Sequence, residues 1–177
     1  MRVIAGAYGG RELVAPRGRA TRPTSDRVRE ALFSILGDVG GARVLDLFAG
    51  SGALAIEALS RGAAEATLVE PSAAAIEAIE RNLGALGITA RVDRRPALRF
   101  LGAARRGARE YDLVFLDPPY RHATALGPEL TSALAPVLAP GARVVSESDR
   151  RSPLRLGLAP LHERSYGDTL IQIHGPR

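Results

Sequence analysis

The stretch Asp46-Leu47-Phe48-Ala49-Gly50-Ser51-Gly52 decides the fold, because it joins an apolar run at residues 43–48 to a helical pattern at residues 53–60. At such a junction only glycine lets the backbone approach a ligand closely, and the first N–H groups of the helix point outward. The stretch therefore predicts a small-molecule site at the carboxyl end of a buried parallel strand.

Strand and helix patterns alternate along the chain on both sides of this stretch. Strands are predicted at residues 43–48, 66–70, 89–92, 111–117 and 142–147, and helices at residues 53–60, 72–86, 97–105 and 128–138. Such alternation indicates parallel βαβ units with helices on both faces of the sheet. Two last runs, residues 158–166 and 169–174, flank Gly167-Asp168 and predict a closing antiparallel hairpin. The chain is therefore predicted to be an α/β protein with a mostly parallel sheet.

The beginning of the chain is strongly basic. Residues 1–29 hold seven arginines and two acidic residues, and residues 30–177 hold seventeen of each sign, so the net charge of +5 lies at the start. Strand patterns at residues 2–5 and 11–15, separated by Gly9-Gly10, predict a hairpin arm and linker at residues 1–23. A body at residues 24–177 would then open with a helix that Thr24 caps and Gly37 ends.

This basic arm has two interpretations. It can grip the phosphates of a nucleic acid, or it can be a solvated arm that aids solubility. In the first interpretation the candidate contacts are Arg2, Arg11, Arg22, Thr24 and Arg27. In both we expect the arm to be removable while the body keeps its fold.

Two classes of protein lack their sequence signature here. No apolar run approaches the roughly 20 residues of a membrane span, and the first residues carry charges where a signal peptide needs apolar ones. We therefore expect a cytoplasmic protein. The chain has no cysteine and its three histidines lie far apart, so we expect no metal site.

The glycine loop by itself predicts a nucleoside cofactor without saying which. Gly50-x-Gly52-x-x-Ala55 also matches the dinucleotide fingerprint, and Glu70 at the end of the next strand could hold ribose hydroxyls in either cofactor. Asp46 favours S-adenosylmethionine, because a carboxylate before the glycines repels a pyrophosphate and suits a cationic ammonium and sulfonium. The competing hypotheses are that Asp46 caps the loop backbone and that Glu70 with Pro71 forms a helix-entry turn.

The tetrapeptide Asp117-Pro118-Pro119-Tyr120, which follows a buried strand, is the most specific motif of the chain. Two prolines hold the backbone rigid, so the Asp117 carboxylate and the Pro118 carbonyl can present two fixed acceptors to the two hydrogens of an amine. Tyr120 could stack on a base that has left its helix or loop. A strand-ending turn with a capping aspartate explains Asp-Pro, but neither the second proline nor the tyrosine.

These motifs resemble those of class I methyltransferases, and the segment from Arg22-Pro23-Thr24 to Phe33 is similar to the RsmD family of bacterial 16S rRNA guanine-N2 methyltransferases. The similarity covers nearly the whole chain, including Tyr166-Gly167-Asp168-Thr169. It implies a seven-stranded sheet, S-adenosylmethionine as methyl donor, and methylation of one guanine of 16S rRNA within an assembling or assembled small subunit. We expect a monomer.

The resemblance also implies roles for individual residues. The cofactor residues would be Asp46, Phe48, Gly50, Ser51, Gly52, Glu70, Pro71 and Asp117. Asp117, Pro118 and Tyr120 would form the catalytic group at the substrate amine. One position departs from the pattern, since Pro96 stands where methyltransferases often place Asp or Asn against the adenine. Backbone groups at residues 95–97 or apolar packing must then recognise the adenine.

Three other functions fit parts of the sequence. A DNA adenine-N6 methyltransferase could use the same tetrapeptide, although the chain has little room for a separate DNA-reading domain. An NAD-dependent oxidoreductase would share the glycine loop and Glu70, but it leaves Asp-Pro-Pro-Tyr without a role. A ribosome-assembly factor without catalytic activity would bind RNA and transfer no methyl group.

Overall fold

The computed structural model describes residues 1–17, 25–118 and 123–176. Its elements, in chain order, are α1 (Asp26–Leu36), β1 (Arg43–Asp46), α2 (Ala53–Ser60), β2 (Glu65–Val69), α3 (Ala73–Leu86), β3 (Arg91–Asp93), α4 (Ala97–Arg106), β4 (Tyr111–Leu116), α5 (Ala123–Leu134), a 3₁₀ turn (Ala135–Val137), β5 (Leu138–Asp149), β6 (Ala159–Tyr166) and β7 (Thr169–Gly175).

The strands form one sheet of seven in the order β3-β2-β1-β4-β5-β7-β6. The first five are parallel, and β7 runs antiparallel between β5 and β6. This arrangement confirms the predicted parallel βαβ units and closing hairpin. The strand order reverses between β1 and β4, and ligands of open α/β sheets bind in the crevice at such a point, outside the carboxyl ends of the strands.

Side chains alternate between two apolar layers, one on each face of the sheet. Along β4, Leu113 and Phe115 point into the layer that α1, α2 and α3 cover, while Val114 and Leu116 point into the layer under α4 and α5. The rings of Phe33 and Phe115 lie 5.9 Å apart, so α1 packs directly against the centre of the sheet. Among the described residues, no helix is long and apolar enough to cross a membrane.

Several predicted boundaries differ from the structure, such as the end of β1 at Asp46 instead of residue 48, and two differ for clear local reasons. Ser25 caps α1, because its hydroxyl accepts the Val28 N–H at 3.3 Å; Thr24 lies outside the described residues. The helix predicted at residues 128–138 begins earlier, at Ala123, and ends at Leu134. Pro136 lies in the following 3₁₀ turn and cannot continue an α-helix, so β5 begins at Leu138. Gly37 ends α1 as predicted.

The basic arm folds back on the body. Its two predicted strands reduce to one antiparallel bridge, between Arg2 and Glu12, and the arm buries Val3 and Leu13. The carboxylate of Glu57, itself fully buried in α2, accepts backbone N–H groups of the arm from Ile4 at 2.7 Å and Ala5 at 3.1 Å. From this packing we propose that removal of the arm destabilises the body, contrary to what the charge pattern predicts.

Candidate active site at the carboxyl edge of the sheet

Four carboxylates lie in a row at the carboxyl edge of the parallel strands. Asp46 and Asp93 are the last residues of β1 and β3, and Glu70 and Asp117 directly follow β2 and β4. The strands β3, β2, β1 and β4 are neighbours in that order, so their ends meet along one edge. The fold thus brings together Asp46, Glu70 and Asp117, which lie far apart in the sequence.

The glycine loop crosses this edge between β1 and α2. Gly50 and Gly52 have φ values of 54° and 79°, which side-chain-bearing residues rarely adopt. A Cβ at Gly52 would come within 2.8 Å of a Leu68 methyl group, so Gly52 lets the loop pack tightly on the sheet. A Cβ at Gly50 would meet nothing closer than the Phe48 carbonyl at 3.9 Å, so space remains beside the loop. Phe48 and Ser51 are partly buried beside it.

Glu70 is buried and ties the glycine loop to the next helix. Its Oε2 accepts the Gly50 N–H at 3.0 Å, and its Oε1 accepts the Ser72 N–H at 2.9 Å. The helix-entry turn is therefore real, with Pro71 exposed inside it. A carboxylate offers about four acceptor positions, so it can accept a hydroxyl of a ligand beside bonds within the protein.

Asp46 is a buried carboxyl with an unusual pKa. Removal from water is the main cause that raises its pKa to about 7, and the neighbouring negative charge of Glu70 adds to the rise. Hydrogen bonds from the backbone N–H groups of Ala55 and Phe48 act in the opposite direction. Asp46 thus does contact the loop and helix backbone. It also forms a site where a ligand cation would relieve the cost of a buried negative charge.

The Asp-Pro-Pro-Tyr motif begins where the sequence predicts. Asp117 follows β4 at the edge and is partly exposed, whereas Pro118 is buried. Pro119 and Tyr120 lie outside the described residues. The structure thus places the first half of the motif next to the end of β1.

The structure describes three of the five residues that the sequence predicts to contact RNA. Arg2, Arg11 and Arg27 are exposed, and Arg22 and Thr24 lie outside the described residues. Arg2 forms a loose ion pair with Asp26 at 3.7 Å, and Arg11 donates to the Ala85 carbonyl at 3.3 Å. The arm begins beside the glycine loop, since the Met1 sulfur lies 3.8 Å from the Ser51 hydroxyl.

Comparison with known proteins identifies the family. The family model described as conserved hypothetical protein 95 matches residues 1–174. The Bacillus subtilis protein YlbH, provisionally named an rRNA methyltransferase, is 38% identical over 183 residues and 100% of both chains. Escherichia coli ribosomal RNA small subunit methyltransferase D is 47% identical over 123 residues, which is 68% of this chain and 61% of that protein. The chain belongs to the RsmD family of methyltransferases.

A solved structure supports the same assignment. The Escherichia coli protein yhhF, provisionally described as a methyltransferase, has a TM-score of 0.84 and 36% identity to this RsmD-family chain. The match covers 100% of this chain and 98% of that one. The fold is therefore that of a class I methyltransferase.

Three further buried polar residues of this RsmD-family chain lie near the candidate site and were not predicted from the sequence. Asp93 ends β3, whose predicted end at residue 92 lies one residue too early, and its carboxylate accepts hydrogen bonds from the Arg95 guanidinium at 2.8 and 2.6 Å. The Arg95 guanidinium is the main cause that lowers the pKa of Asp93 to about 2. The sequence did hold a signal for Asn82, because this single asparagine falls on the apolar face of α3 with Ile79 and Leu83. Glu147 carried no signal beyond its place at the end of a strand pattern.

The end of β3 also shows what surrounds Pro96. Pro96 is exposed and caps α4, and the Arg95 guanidinium lies 5.6 Å from the centre of the Phe100 ring. The backbone at residues 95–97 thus remains the group that could meet an adenine ring in this RsmD-family chain.

Proposed function

We propose that the chain transfers the methyl group of S-adenosylmethionine to the exocyclic N2 amine of one guanine in 16S rRNA. The observation that carries the proposal is the juxtaposition of the buried Asp46 carboxyl, at the glycine loop, with Asp117-Pro118 on the neighbouring strand. The rRNA methyltransferase names of the relatives YlbH and methyltransferase D support an RNA substrate. The guanine and its N2 position rest on the resemblance of the motifs.

The residues around the glycine loop fit a cationic nucleoside. Asp46 lies where it can face an ammonium or sulfonium group, and Glu70 has acceptor capacity for ribose hydroxyls. Gly50 leaves open space in which a side chain would stand. Phe48, Ser51 and Gly52 complete the loop, and Pro71 flanks Glu70. Bound there, S-adenosylmethionine supplies a methyl group on positively charged sulfur.

The Asp117-Pro118 edge suits the amine of a base. The Asp117 carboxylate and the Pro118 carbonyl accept its two N–H hydrogens and hold its lone pair toward the methyl group. Bound S-adenosylmethionine would supply the methyl group to this nitrogen and keep the electron pair of the broken C–S bond on its sulfur. Asp117, the carboxylate of the motif, would accept the proton that the methylated nitrogen releases. Tyr120 would stack on the base that leaves its helix or loop.

The arm and the start of the body, up to the first turn of α1, supply a second set of contacts. Arg2, Arg11 and Arg27 are exposed, and with Arg22 and Thr24 they would hold phosphates of the small ribosomal subunit. The enzyme would act as a monomer in the cytoplasm, where ribosomal subunits assemble.

The test is a nucleoside analysis of ribosomal RNA from a deletion strain. We expect mass spectrometry to show the loss of one N2-methylguanosine from 16S rRNA, restored by the wild-type gene and not by Asp117→Ala. Small subunits of the deletion strain should accept tritium from labelled S-adenosylmethionine at that guanine. A lost N6-methyladenosine in DNA would instead support the DNA methyltransferase, and RNA binding without tritium transfer would support the assembly factor.

A further inference from the structure

Glu147 lies beside Asp117 at the carboxyl edge of the sheet. The parallel strands β4 and β5 are paired with Phe115 level with Val145 and Leu116 level with Ser146. Continued by one residue beyond the end of β4, this register sets Asp117 level with Glu147. Adjacent strands are separated by about 4.8 Å, so the two carboxylates emerge from neighbouring positions of the same edge.

Both side chains belong to the same face of the sheet. Phe115 and Val145 point into the layer under α1, and side chains alternate along a strand. Glu147, two residues after Val145 within β5, therefore lies on that face, and the same alternation continued past the end of β4 places Asp117 there as well. Ser146 and Ser148, on either side of Glu147, point to the opposite face.

The surroundings of Glu147 make it a strong acceptor. It is only 6% exposed, and its partner across the antiparallel pair, Ile171, is fully buried. A hydrogen bond to a charged group is stronger where water is excluded, and the loss of such a bond is costly. A carboxylate has about four acceptor positions, so it can bind a ligand N–H beside a contact within the protein.

We propose that Glu147 accepts the N1–H of the target guanine and thereby selects guanine over adenine. This inference rests on the proposed function and deepens it. Guanine carries N1–H directly beside its N2 amine on one edge of the base, so two adjacent donors would meet two adjacent acceptors, Glu147 and Asp117. Adenine carries a lone pair on N1 beside its N6 amine. That lone pair would face the Glu147 carboxylate, so adenine would be held by one acceptor and repelled by the other.

The test replaces the target guanine by 2-aminopurine, which keeps the amine at position 2 but has a lone pair instead of a hydrogen on N1. Once the target nucleotide has been mapped, ligated 16S rRNA carrying either base is assembled into small subunits. We expect wild-type enzyme to methylate the 2-aminopurine subunits about 10- to 100-fold more slowly, as expected when a buried acceptor is left unpaired.

The variant Glu147→Gln identifies the cause, since 2-aminopurine also lacks the O6 of guanine. A glutamine amide can accept from guanine N1–H or donate to the N1 lone pair. We therefore expect Glu147→Gln to reduce the difference between the two bases to about threefold or less. Ser148→Ala, on the same strand but facing the other side, is the matched control and should keep the wild-type preference.

Two outcomes would overturn the inference. One is equal methylation of both bases by the wild-type enzyme, which needs no variant and stays decisive if Glu147→Gln fails to fold. The other is a folded Glu147→Gln that methylates guanine and keeps the full preference. Failure of the proposed function looks different, because no N2-methylguanosine would then form in the wild-type reaction with unmodified subunits. Fluorescence of 2-aminopurine on binding gives an independent readout of whether the base enters the site.

Discussion

The side-chain amide of Asn82 donates a hydrogen bond to the carbonyl oxygen of Ser51 at 2.9 Å. The same nitrogen donates to the Val14 carbonyl at 3.0 Å, and the amide oxygen accepts the Val14 N–H at 2.8 Å. One buried side chain of α3 thus binds both the glycine loop and the second half of the arm. The arm is therefore part of the support of the candidate cofactor site.

We predict that Asn82→Ala weakens cofactor binding indirectly, by removing a hydrogen bond that supports the glycine loop. Loss of one hydrogen bond to the loop is worth about 0.5–1.5 kcal/mol, so the Kd of S-adenosylmethionine should rise about two- to tenfold. Isothermal titration calorimetry measures the change, and thermal unfolding measures the loss of stability beside it.

Ser60→Ala is the matched control for this prediction. The Ser60 hydroxyl accepts the Tyr8 N–H at 3.0 Å and donates to the Ala5 carbonyl, so its loss loosens the arm at a point where it does not contact the glycine loop. Cofactor affinity that falls equally in both variants would show that Asn82 acts through general stability alone.

Removal of residues 1–15 should destabilise the body. Burial of Val3 and Leu13 contributes about 1.5–3 kcal/mol each, so the free energy of unfolding should fall by at least about 3 kcal/mol. The buried Glu57 carboxylate would also lose two backbone donors. Urea unfolding followed by circular dichroism measures the difference, and an unchanged midpoint would show that the arm is an independent appendage after all.

RNA binding should depend on the exposed arginines of the arm and of the start of α1 more than on exposed arginines elsewhere. The triple variant Arg2→Gln, Arg11→Gln, Arg27→Gln keeps the backbone and removes three exposed charges, two in the arm and one at the start of α1. We expect the slope of log K against log salt to become shallower by about 2 to 3 for RNA, at roughly 0.7–0.9 per lost phosphate contact.

The control for charge alone removes three other exposed arginines. Arg99→Gln, Arg105→Gln, Arg106→Gln changes α4, which covers the opposite face of the sheet from the arm. An equal change of slope in both triple variants would refute a specific grip by the arm.

Cofactor affinity should rise with pH until about pH 7. The pKa of Asp46 lies near 7, so below that pH the folded protein holds a proton that a cationic ligand must expel. Affinity should therefore fall by up to about tenfold per pH unit below 7 and level off above it. The stability of the ligand-free protein should instead fall as the pH rises. The raised pKa means that stability from protonated Asp46 is lost as pH rises through 7.

Asp46→Asn separates this effect from titration of the ligand itself. Calorimetric titration of S-adenosylmethionine between pH 5.5 and 8 should show a slope in the wild type that the variant lacks. The same slope in both proteins would mean that Asp46 does not face the cation.

The sequence by itself determined the order of the elements and the position of the glycine loop. The predicted bounds of α2 agree with the structure, because they depend on local features only: the glycine before the helix and the apolar pattern within it. The same local logic placed Asp46 and Asp117 at strand ends, since strands of one parallel sheet must end on the same side.

Only the tertiary structure decided which distant groups meet. Asn82 contacts Val14 across 68 residues and Ser51 across 31, and nothing local in the sequence names those partners. The arm docks through hydrogen bonds from its backbone to Glu57 and Ser60 of α2, and a count of charges cannot reveal these partners, so it predicts a removable tail. Glu147 stands level with Asp117 because of the register between β4 and β5, and a shift of one residue would have turned it to the other face. Register and packing are set by the sum of many non-local contacts, so no segment determines them on its own.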